Sequence, residues 1–236
     1  MVFGGFGPYL LFILPPFLLG LWAQFRVKRN FNKYSQVGTI SGMTGAQVAR
    51  QMLDAEGLYD VKVEETAGSL TDHYDPRAKV LRLSQSTYGS VSVAAAGIAA
   101  HEMGHALQDA KNYGPLSLRS ALVPSVQFGS RWGTWMFMGG MLLMTFLGTA
   151  IGFYVAVAGL LLYLVVAFFA VVTLPVEFDA SKRAKALLVE HGILYKDEMD
   201  GVNAVLNAAA LTYVAAAIQA VMQVLYWAFI LFGRRR

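Results

Sequence analysis

The sequence predicts a mainly helical fold embedded in a membrane, with about four transmembrane helices and a small strand element. Composition is the first reason: 56% of the 236 residues are hydrophobic and only 14% are charged, against about 25% charged in soluble proteins. The second is that residues 132–176 contain no Asp, Glu, Lys or Arg. The third is that basic residues cluster beside apolar runs, as they do on the cytoplasmic side of membrane proteins.

Charge and cysteine content exclude several classes of protein. The formal net charge is +4, but the basic clusters at residues 26–33 and 234–236 are not interleaved with aromatic residues in a polar fold. We therefore expect no nucleic-acid partner. The chain has no cysteine, which excludes disulfides and Cys-ligated metals. Any metal must be bound by histidines and carboxylates.

Apolar runs predict where the chain crosses the membrane. Residues 7–25 are long enough for one helical pass, and Pro15-Pro16 within them predicts a kink or break. Because the positive charges follow this run, it is interpreted as a retained anchor with its N-terminus outside, not as a signal peptide. Residues 132–176 suffice for two passes that reverse near Gly148–Gly152, and residues 202–232 form a further apolar helix.

Residues 26–131 form the water-compatible part of the chain. Ser41–Gly57 has the pattern of a short helix. Alternating apolar and polar residues predict two strands joined by a loop, Val61–Thr66 and Lys79–Ser84. The second is interpreted as an edge strand on which an extended peptide substrate lies, with an ordinary hairpin strand as the alternative. Pro115–Arg131 predicts an interfacial helix interrupted at its internal proline.

The clearest chemical signal is the motif His101-Glu102-Met103-Gly104-His105. Histidines four residues apart on a helix project from one face, so both imidazoles can reach one metal ion. Glu102 is placed to take a proton from metal-bound water and pass it to a leaving amine. Zinc lowers the pKa of that water from about 16 toward about 7. The motif therefore predicts a zinc metallopeptidase.

A catalytic zinc usually has three protein ligands and one open position. The candidates for the third ligand are His73, Glu177, Asp179, His191, Glu198 and Asp200. Glu177 stands out because it is the first charge after the charge-free run, where we expect a helix to begin. His191 fits better as a charge at a helix C-terminus, and Asp179 as a surface residue or outer partner. His73 and Tyr74 are candidates for hydrogen-bonding an oxyanion, or simply part of an Asp-Pro turn.

Several longer segments resemble one known family. SLTDHYDPRAKVLRLS, VAAAGIAAHEMGHALQ and PVEFDASKRA, together with TGAQVARQML and LNAAALTYVAAA, are similar to the bacterial neutral zinc metallopeptidases of the YugP type. The resemblance covers nearly the whole chain. It implies that His101, His105 and Glu177 are the zinc ligands of a gluzincin-like cleft. It also implies that Glu102 is the catalytic acid/base.

One position departs from a related pattern. The layout is also similar to the HtpX and CAAX-type membrane proteases, whose third ligand lies in an E-x-x-A-D segment. Glu177 and Ala180 fit that segment, but Ser181 stands where it has Asp. In the related enzymes the Asp orients a zinc-bound imidazole. Here the outer partner is open between Ser181, Asp109 and Asp179.

We therefore expect a multi-pass peptidase of the bacterial plasma membrane, with the active site facing the cytoplasm and peptides or proteins as substrates. The expected organisation is one membrane-embedded domain, residues 1–236, made of an anchor (7–25), a cytoplasmic catalytic part (26–131), a transmembrane hairpin (132–176), a third-ligand helix (177–200) and an apolar C-terminal helix (202–232).

Two other functions are compatible with the motif. One is a membrane scaffold or chaperone-like protein with a structural zinc ion, although a purely structural site has no use for the Glu102 carboxylate. The other is a zinc hydrolase that acts on a lipid or another non-peptide amide. An assay against peptides and lipids separates these functions.

Overall fold

A computed structural model describes residues 6–233, which form seven α-helices, three strands and one short 3₁₀ helix. The helices are α1 (Phe6–Tyr34), α2 (Gly45–Ala55), α3 (Gln85–Tyr88), α4 (Val93–Ala110), α5 (Gly114–Phe146), α6 (Ala150–Glu190) and α7 (Met199–Phe232), with the 3₁₀ helix at Lys196–Glu198. The strands are β1 (Lys62–Thr66), β2 (His73–Asp75) and β3 (Val80–Ser84). The predicted mainly helical class with a small strand element is confirmed.

The three strands form one sheet in the order β1-β3-β2. β1 is parallel to β3, with Lys62 opposite Val80, and β2 is antiparallel to β3, with His73 opposite Arg82. Both predicted strands are confirmed, but the expected loop between them contains β2. Our prediction that Lys79–Ser84 is an edge strand that pairs with a substrate is wrong, because β3 has a strand on each side. Side-chain alternation reports which face of a strand is buried and does not report its neighbours.

The predicted helix over Ser41–Gly57 is confirmed as α2. Thr44 is its N-cap: the Thr44 side chain accepts from the Gln47 backbone N–H, and the Gln47 side chain accepts from the Thr44 N–H. This reciprocal pair satisfies two backbone donors that a helix start leaves free. Gly57 follows the helix with a φ of +76°, which favours glycine.

The chain divides into two compact units. Unit 1 consists of Met1–Trp22, Leu118–Leu174 and Thr212–Arg236, and unit 2 consists of Ala23–Ser117 and Pro175–Leu211. All 15 acidic residues belong to unit 2. In the part of unit 1 that the structure describes, the charged residues are Arg119 and Arg131. The division therefore follows the boundary between apolar and charged sequence.

In unit 2, small residues let α4 contact its neighbours closely. Ser92 caps the helix by accepting from the Ala95 N–H. A Cβ atom added at Gly104 would lie 2.6 Å from the carbonyl oxygen of Ala180 on α6. Such a distance is too short for any side chain, so α4 and α6 touch backbone to backbone one residue before His105.

In unit 1, glycines bring α5 and α6 together. A Cβ atom added at Gly140 would lie 2.3 Å from the Ala156 nitrogen, and one added at Gly159 would lie 2.3 Å from the Phe137 nitrogen. Phe137 also stacks on Trp227 of α7, with ring centroids 4.2 Å apart. Small residues that allow close backbone approach are typical of helix contacts inside membranes.

Three helical segments among the described residues are long and apolar enough to cross a membrane: Gly7–Tyr34, Ala150–Glu190 and Lys196–Phe232. Helix α5 is not among them, and glycine, serine and arginine residues interrupt its apolar sequence. Large apolar side chains on both arms of the α5–α6 hairpin are nevertheless exposed, including Phe146 (77%) and Tyr154 (70%). Such exposure is unfavourable in water and expected in contact with lipid.

Three helices continue through residues where the sequence predicted a break or a start. Helix α1 runs through Pro15-Pro16, and α5 runs through Pro124, so the expected interfacial helix and the first hairpin arm are one helix. Helix α6 does not begin at Glu177 but passes through it. A long helix can continue through a proline, because the loss of one backbone hydrogen bond is small beside the contacts that the rest of the helix makes. The predicted hairpin reversal is confirmed at residues 147–149, where Gly148 has a φ of +62°.

Candidate metal centre

Two helices of unit 2 bring His101, His105 and Glu177 together. Both histidines lie on α4, and Glu177 lies on α6. One potential ligand atom from each residue lies within 4.8 Å of the other two. The Glu177 Oε2 atom is 3.2 Å from His101 Nε2 and 3.6 Å from His105 Nε2. The Nε2 atoms of both rings therefore face the same carboxylate.

The cluster is shielded from water without being closed. Glu177 is 2% exposed, His105 8% and Glu102 9%, while the His101 side chain is 12% exposed. Burial lowers the pKa of His105, but the hydrogen bond to Glu177 and the charges of Glu102 and Glu177 outweigh burial, so its pKa lies above its ordinary value. The same two carboxylates favour a cation between the imidazoles.

The donor set fits a zinc ion. Two imidazoles and one carboxylate are a known catalytic combination that leaves one position open. Zinc binds nitrogen and oxygen at about 2.0–2.2 Å, so neighbouring donors in a tetrahedral site are separated by roughly 3.4 Å. The oxygen-to-nitrogen distances of 3.2 and 3.6 Å bracket that value. The side chains can hold the ion without a change of fold.

Each imidazole has a partner at its other nitrogen. The Ser181 Oγ atom lies 3.1 Å from His101 Nδ1, and the Gln108 Oε1 atom lies 3.0 Å from His105 Nδ1. Partners at this nitrogen fix the orientation of metal-binding histidines. Of the three outer partners left open by the sequence, Ser181 is the one that contacts His101.

The other two acids have different contacts. Asp179 accepts a hydrogen bond from the Gln108 amide, 2.8 Å, and thus acts one step further from the imidazole. Asp109 accepts a hydrogen bond of 2.9 Å from the Tyr74 hydroxyl, which joins β2 to α4. Gln108 was not among the outer partners expected from the sequence, which were two acids and Ser181. The spacing could have indicated Gln108 as a partner of His105, since it lies three residues later on the same helix face.

The remaining candidates for the third ligand lie outside this cluster. His191 Nε2 lies 3.5 Å from a Glu56 carboxylate oxygen. Glu198 accepts from the Ile40 backbone N–H at 2.8 Å. The exposed His73 has its Nδ1 atom 2.8 Å from the Thr71 carbonyl oxygen. Asp200 lies in the first turn of α7. Within residues 6–233, His101, His105 and Glu177 are the group that offers a metal site.

Comparison with known families identifies the family to which the chain belongs. A family model described as "Putative neutral zinc metallopeptidase" matches residues 9–232. The chain belongs to this zinc metallopeptidase family. The resemblance seen in the sequence is thereby confirmed, and so is zinc as the expected cofactor. The matched range contains all three residues of the cluster.

A curated relative of the chain is similar over almost its full length. It is the "Putative membrane protease YugP" of Bacillus subtilis (strain 168), 48% identical over 217 residues, which is 92% of this chain and 93% of the relative. The relative's name and the three apolar helices agree with the predicted membrane protein. The comparison with solved structures found no match.

Proposed function

We propose that the protein is a membrane-bound zinc peptidase, one functional domain over the whole chain, in which His101, His105 and Glu177 bind the ion. Glu102 is the general acid/base. The observation that carries the proposal is the convergence of both Nε2 atoms on the buried Glu177 carboxylate. Membership of a zinc metallopeptidase family supports peptide-bond hydrolysis as the reaction.

The side chains divide the chemical work. A zinc ion bound by the three ligands would supply a Lewis acid that polarises the substrate carbonyl and makes a water molecule more acidic. Glu102 takes the proton of the attacking water and delivers it to the nitrogen of the breaking C–N bond. Ser181 and Gln108 hold the two rings through their Nδ1 atoms, so that the Nε2 atoms stay directed at the metal position.

Two observations favour catalysis over a structural zinc ion. Structural zinc sites usually have four protein ligands, whereas the described cluster offers three and leaves a position for water. In addition, Glu102 is nearly buried beside the cluster, where a carboxylate that has no chemical role would be costly. The family description favours peptides over lipids as substrates.

We further propose four membrane passes, by α1, α5, α6 and α7. The contact between α5 and α6 supports α5 as the fourth: Gly140 lies against Ala156, and Phe137 lies against Gly159. Because the two helices are in backbone contact along the hairpin, this part of α5 must also lie in the bilayer if α6 crosses it. All acidic residues belong to unit 2, which supports unit 1 as the membrane part.

The positive-inside rule then orients the chain in the bacterial plasma membrane. Residues 26–131 and 177–200 would lie in the cytoplasm, with the active site on that side and the N-terminus outside. A full pass by α7 would place residues 234–236 outside, against the rule. These three residues lie beyond the described part of the chain.

The proposed reaction is tested by replacing the acid/base. Glu102→Gln keeps the size of the side chain and leaves the three ligands intact, so the variant should bind zinc like the parental protein. Its peptide hydrolysis should fall by at least about 10²–10⁴-fold, the usual contribution of a general acid/base. A zinc-loaded Glu102→Gln protein that hydrolyses peptides at the parental rate would show that the mechanism is wrong.

A further inference from the structure

Gln108 is completely buried (0% exposed) and connects the two helices that carry the proposed ligands. On α4, its Oε1 atom lies 3.0 Å from His105 Nδ1. On α6, its Nε2 atom donates to the Val176 carbonyl oxygen and to Asp179 Oδ2, each at 2.8 Å. Both protons of the amide are therefore used, and its oxygen is directed at the imidazole.

The two acceptors on α6 determine which way the amide faces. A carbonyl oxygen and a carboxylate can only accept, so the NH₂ group must face Val176 and Asp179, and the oxygen must face His105. An amide oxygen can only accept as well. The imidazole therefore carries a proton at Nδ1, and its Nε2 atom, 3.6 Å from Glu177, is the nitrogen that a metal can bind. A metal binds the neutral ring through that nitrogen.

Asp179 is itself held in place. It forms an ion pair with Arg183, one turn later on α6. The Arg183 guanidinium in turn lies 5.7 Å from the centroid of the Tyr113 ring. A continuous series of contacts thus leads from His105 through the buried amide to a half-buried ion pair. None of these outer residues touches the metal position directly.

The other histidine is held differently. Ser181 contacts His101 through a hydroxyl group, which can donate or accept, so this contact does not by itself select a tautomer. The Gln108 amide, oriented from α6, can only accept and so requires a proton at His105 Nδ1.

We propose that Gln108 is a positioning residue, which selects the metal-binding tautomer of His105 and fixes the spacing between α4 and the helix of Glu177. Asp179 orients the amide. The inference deepens the proposed function and rests on it, since it concerns how tightly the zinc site binds its ion.

The test is the zinc affinity of the purified full chain, measured by competition with a chelator. Gln108→Met keeps the length of the side chain and removes its hydrogen bonds; the affinity should fall by about 10–100-fold. The matched control is Thr87→Val. Thr87 is also fully buried and bonded to a side chain, Ser84 Oγ at 3.2 Å, but is not part of the cluster. Thr87→Val should keep the parental affinity even if the melting temperature falls.

A second pair of variants shows whether Asp179 acts by orienting the Gln108 amide or by its charge. The same pair tests the inference if Gln108→Met does not fold. Asp179→Asn keeps an acceptor for the Gln108 amide and should bind zinc like the parental protein, whereas Asp179→Leu removes the acceptor and should bind several-fold more weakly. Equal losses in both variants would assign the effect to charge and overturn the proposed role of Asp179.

Parental zinc affinity in both Gln108→Met and Asp179→Leu would overturn the inference and leave the proposed zinc site intact. A parental protein that binds no zinc would overturn the proposed function and the inference with it. Because zinc affinity is measured without substrate, neither result depends on the peptide chosen for an activity assay.

Discussion

At the scale of single residues, the ligand set rests on spacing within one helix and on a contact between two helices. His101 and His105 are four residues apart, which places them on one face of any α-helix. This part could be predicted because it requires only local geometry. The position of Glu177 depends on the contact of α4 with α6, so the sequence alone left six candidates.

The proposed ligand set predicts a clear pattern of zinc loss. His101→Ala, His105→Ala and Glu177→Ala should each lower zinc affinity by more than the about 10–100-fold typical of an outer partner, because each removes a metal bond. His191→Ala is the matched control, since His191 lies beside Glu56 and not in the cluster. Zinc stoichiometry by mass spectrometry measures the effect. A Glu177→Ala protein that stays fully loaded would move the third ligand to another acid.

The outer partners show where sequence reasoning at this scale ends. Ser181 was identified as a departure from a related pattern, and its hydroxyl does contact His101. The role of Gln108 was not predicted, because a neutral amide gains its orientation only from acceptors on another helix, Val176 and Asp179. A helix face can be derived from spacing, but the partners across it cannot.

At the scale of elements, local signals predicted where helices and strands occur better than they predicted which elements pack together. The pattern over Ser41–Gly57 predicted α2, and alternation of apolar and polar residues predicted β1 and β3. The sequence did not reveal β2, which has three residues, too few for a period to show. It also placed a helix start at Glu177, because the change from apolar to polar residues there reflects the surroundings of α6 and not its backbone.

The close contact of α4 with α6 predicts a difference between two glycines of one helix. Gly104→Ala would place a Cβ atom 2.6 Å from the Ala180 carbonyl oxygen. The helices must then separate, at a cost of about 1–3 kcal/mol, and zinc affinity should fall because His105 moves. Gly97→Ala meets Val202 at an ordinary 3.4 Å and should be neutral or stabilising. If the two substitutions changed zinc affinity and melting temperature equally, the proposed packing would be contradicted.

The hairpin of α5 and α6 gives a similar test in unit 1 with two adjacent residues. Gly140→Ala would bring a Cβ atom to 2.3 Å from the Ala156 nitrogen, whereas Gly139→Ala meets no atom within 4 Å. Only Gly140→Ala should lower the melting temperature of the protein in detergent, since overpacking costs about 1–3 kcal/mol. Equal melting temperatures for the two variants would show that α5 and α6 are not in close contact at Gly140.

At the scale of the whole molecule, composition predicted the separation of apolar from charged sequence that the two units display. Hydropathy could not establish the number of passes, because glycine, serine and arginine residues interrupt the apolar sequence of α5. Coordination gives an independent constraint: if residues before and after the hairpin bind one ion, the hairpin must cross the membrane an even number of times.

The proposed topology can be tested in a protein without native cysteines. Single cysteines at Asn32, Thr149 and Glu190 would be labelled in intact cells with an impermeant maleimide. Position 149 should react, while positions 32 and 190 should react only after permeabilisation. A cysteine at Arg236 locates the C-terminus. Labelling of positions 32 and 190 from opposite sides of the membrane would exclude a shared zinc site.

In the proposed site, one zinc ion binds to ligands from both α4 and α6. The most direct measurement is anomalous X-ray scattering at the zinc absorption edge from crystals of the purified, zinc-loaded full chain. We expect one zinc peak, at about 2.0–2.2 Å from the Nε2 atoms of His101 and His105 and from a carboxylate oxygen of Glu177. A zinc peak bound by other residues, or no zinc peak between these three side chains, would contradict it.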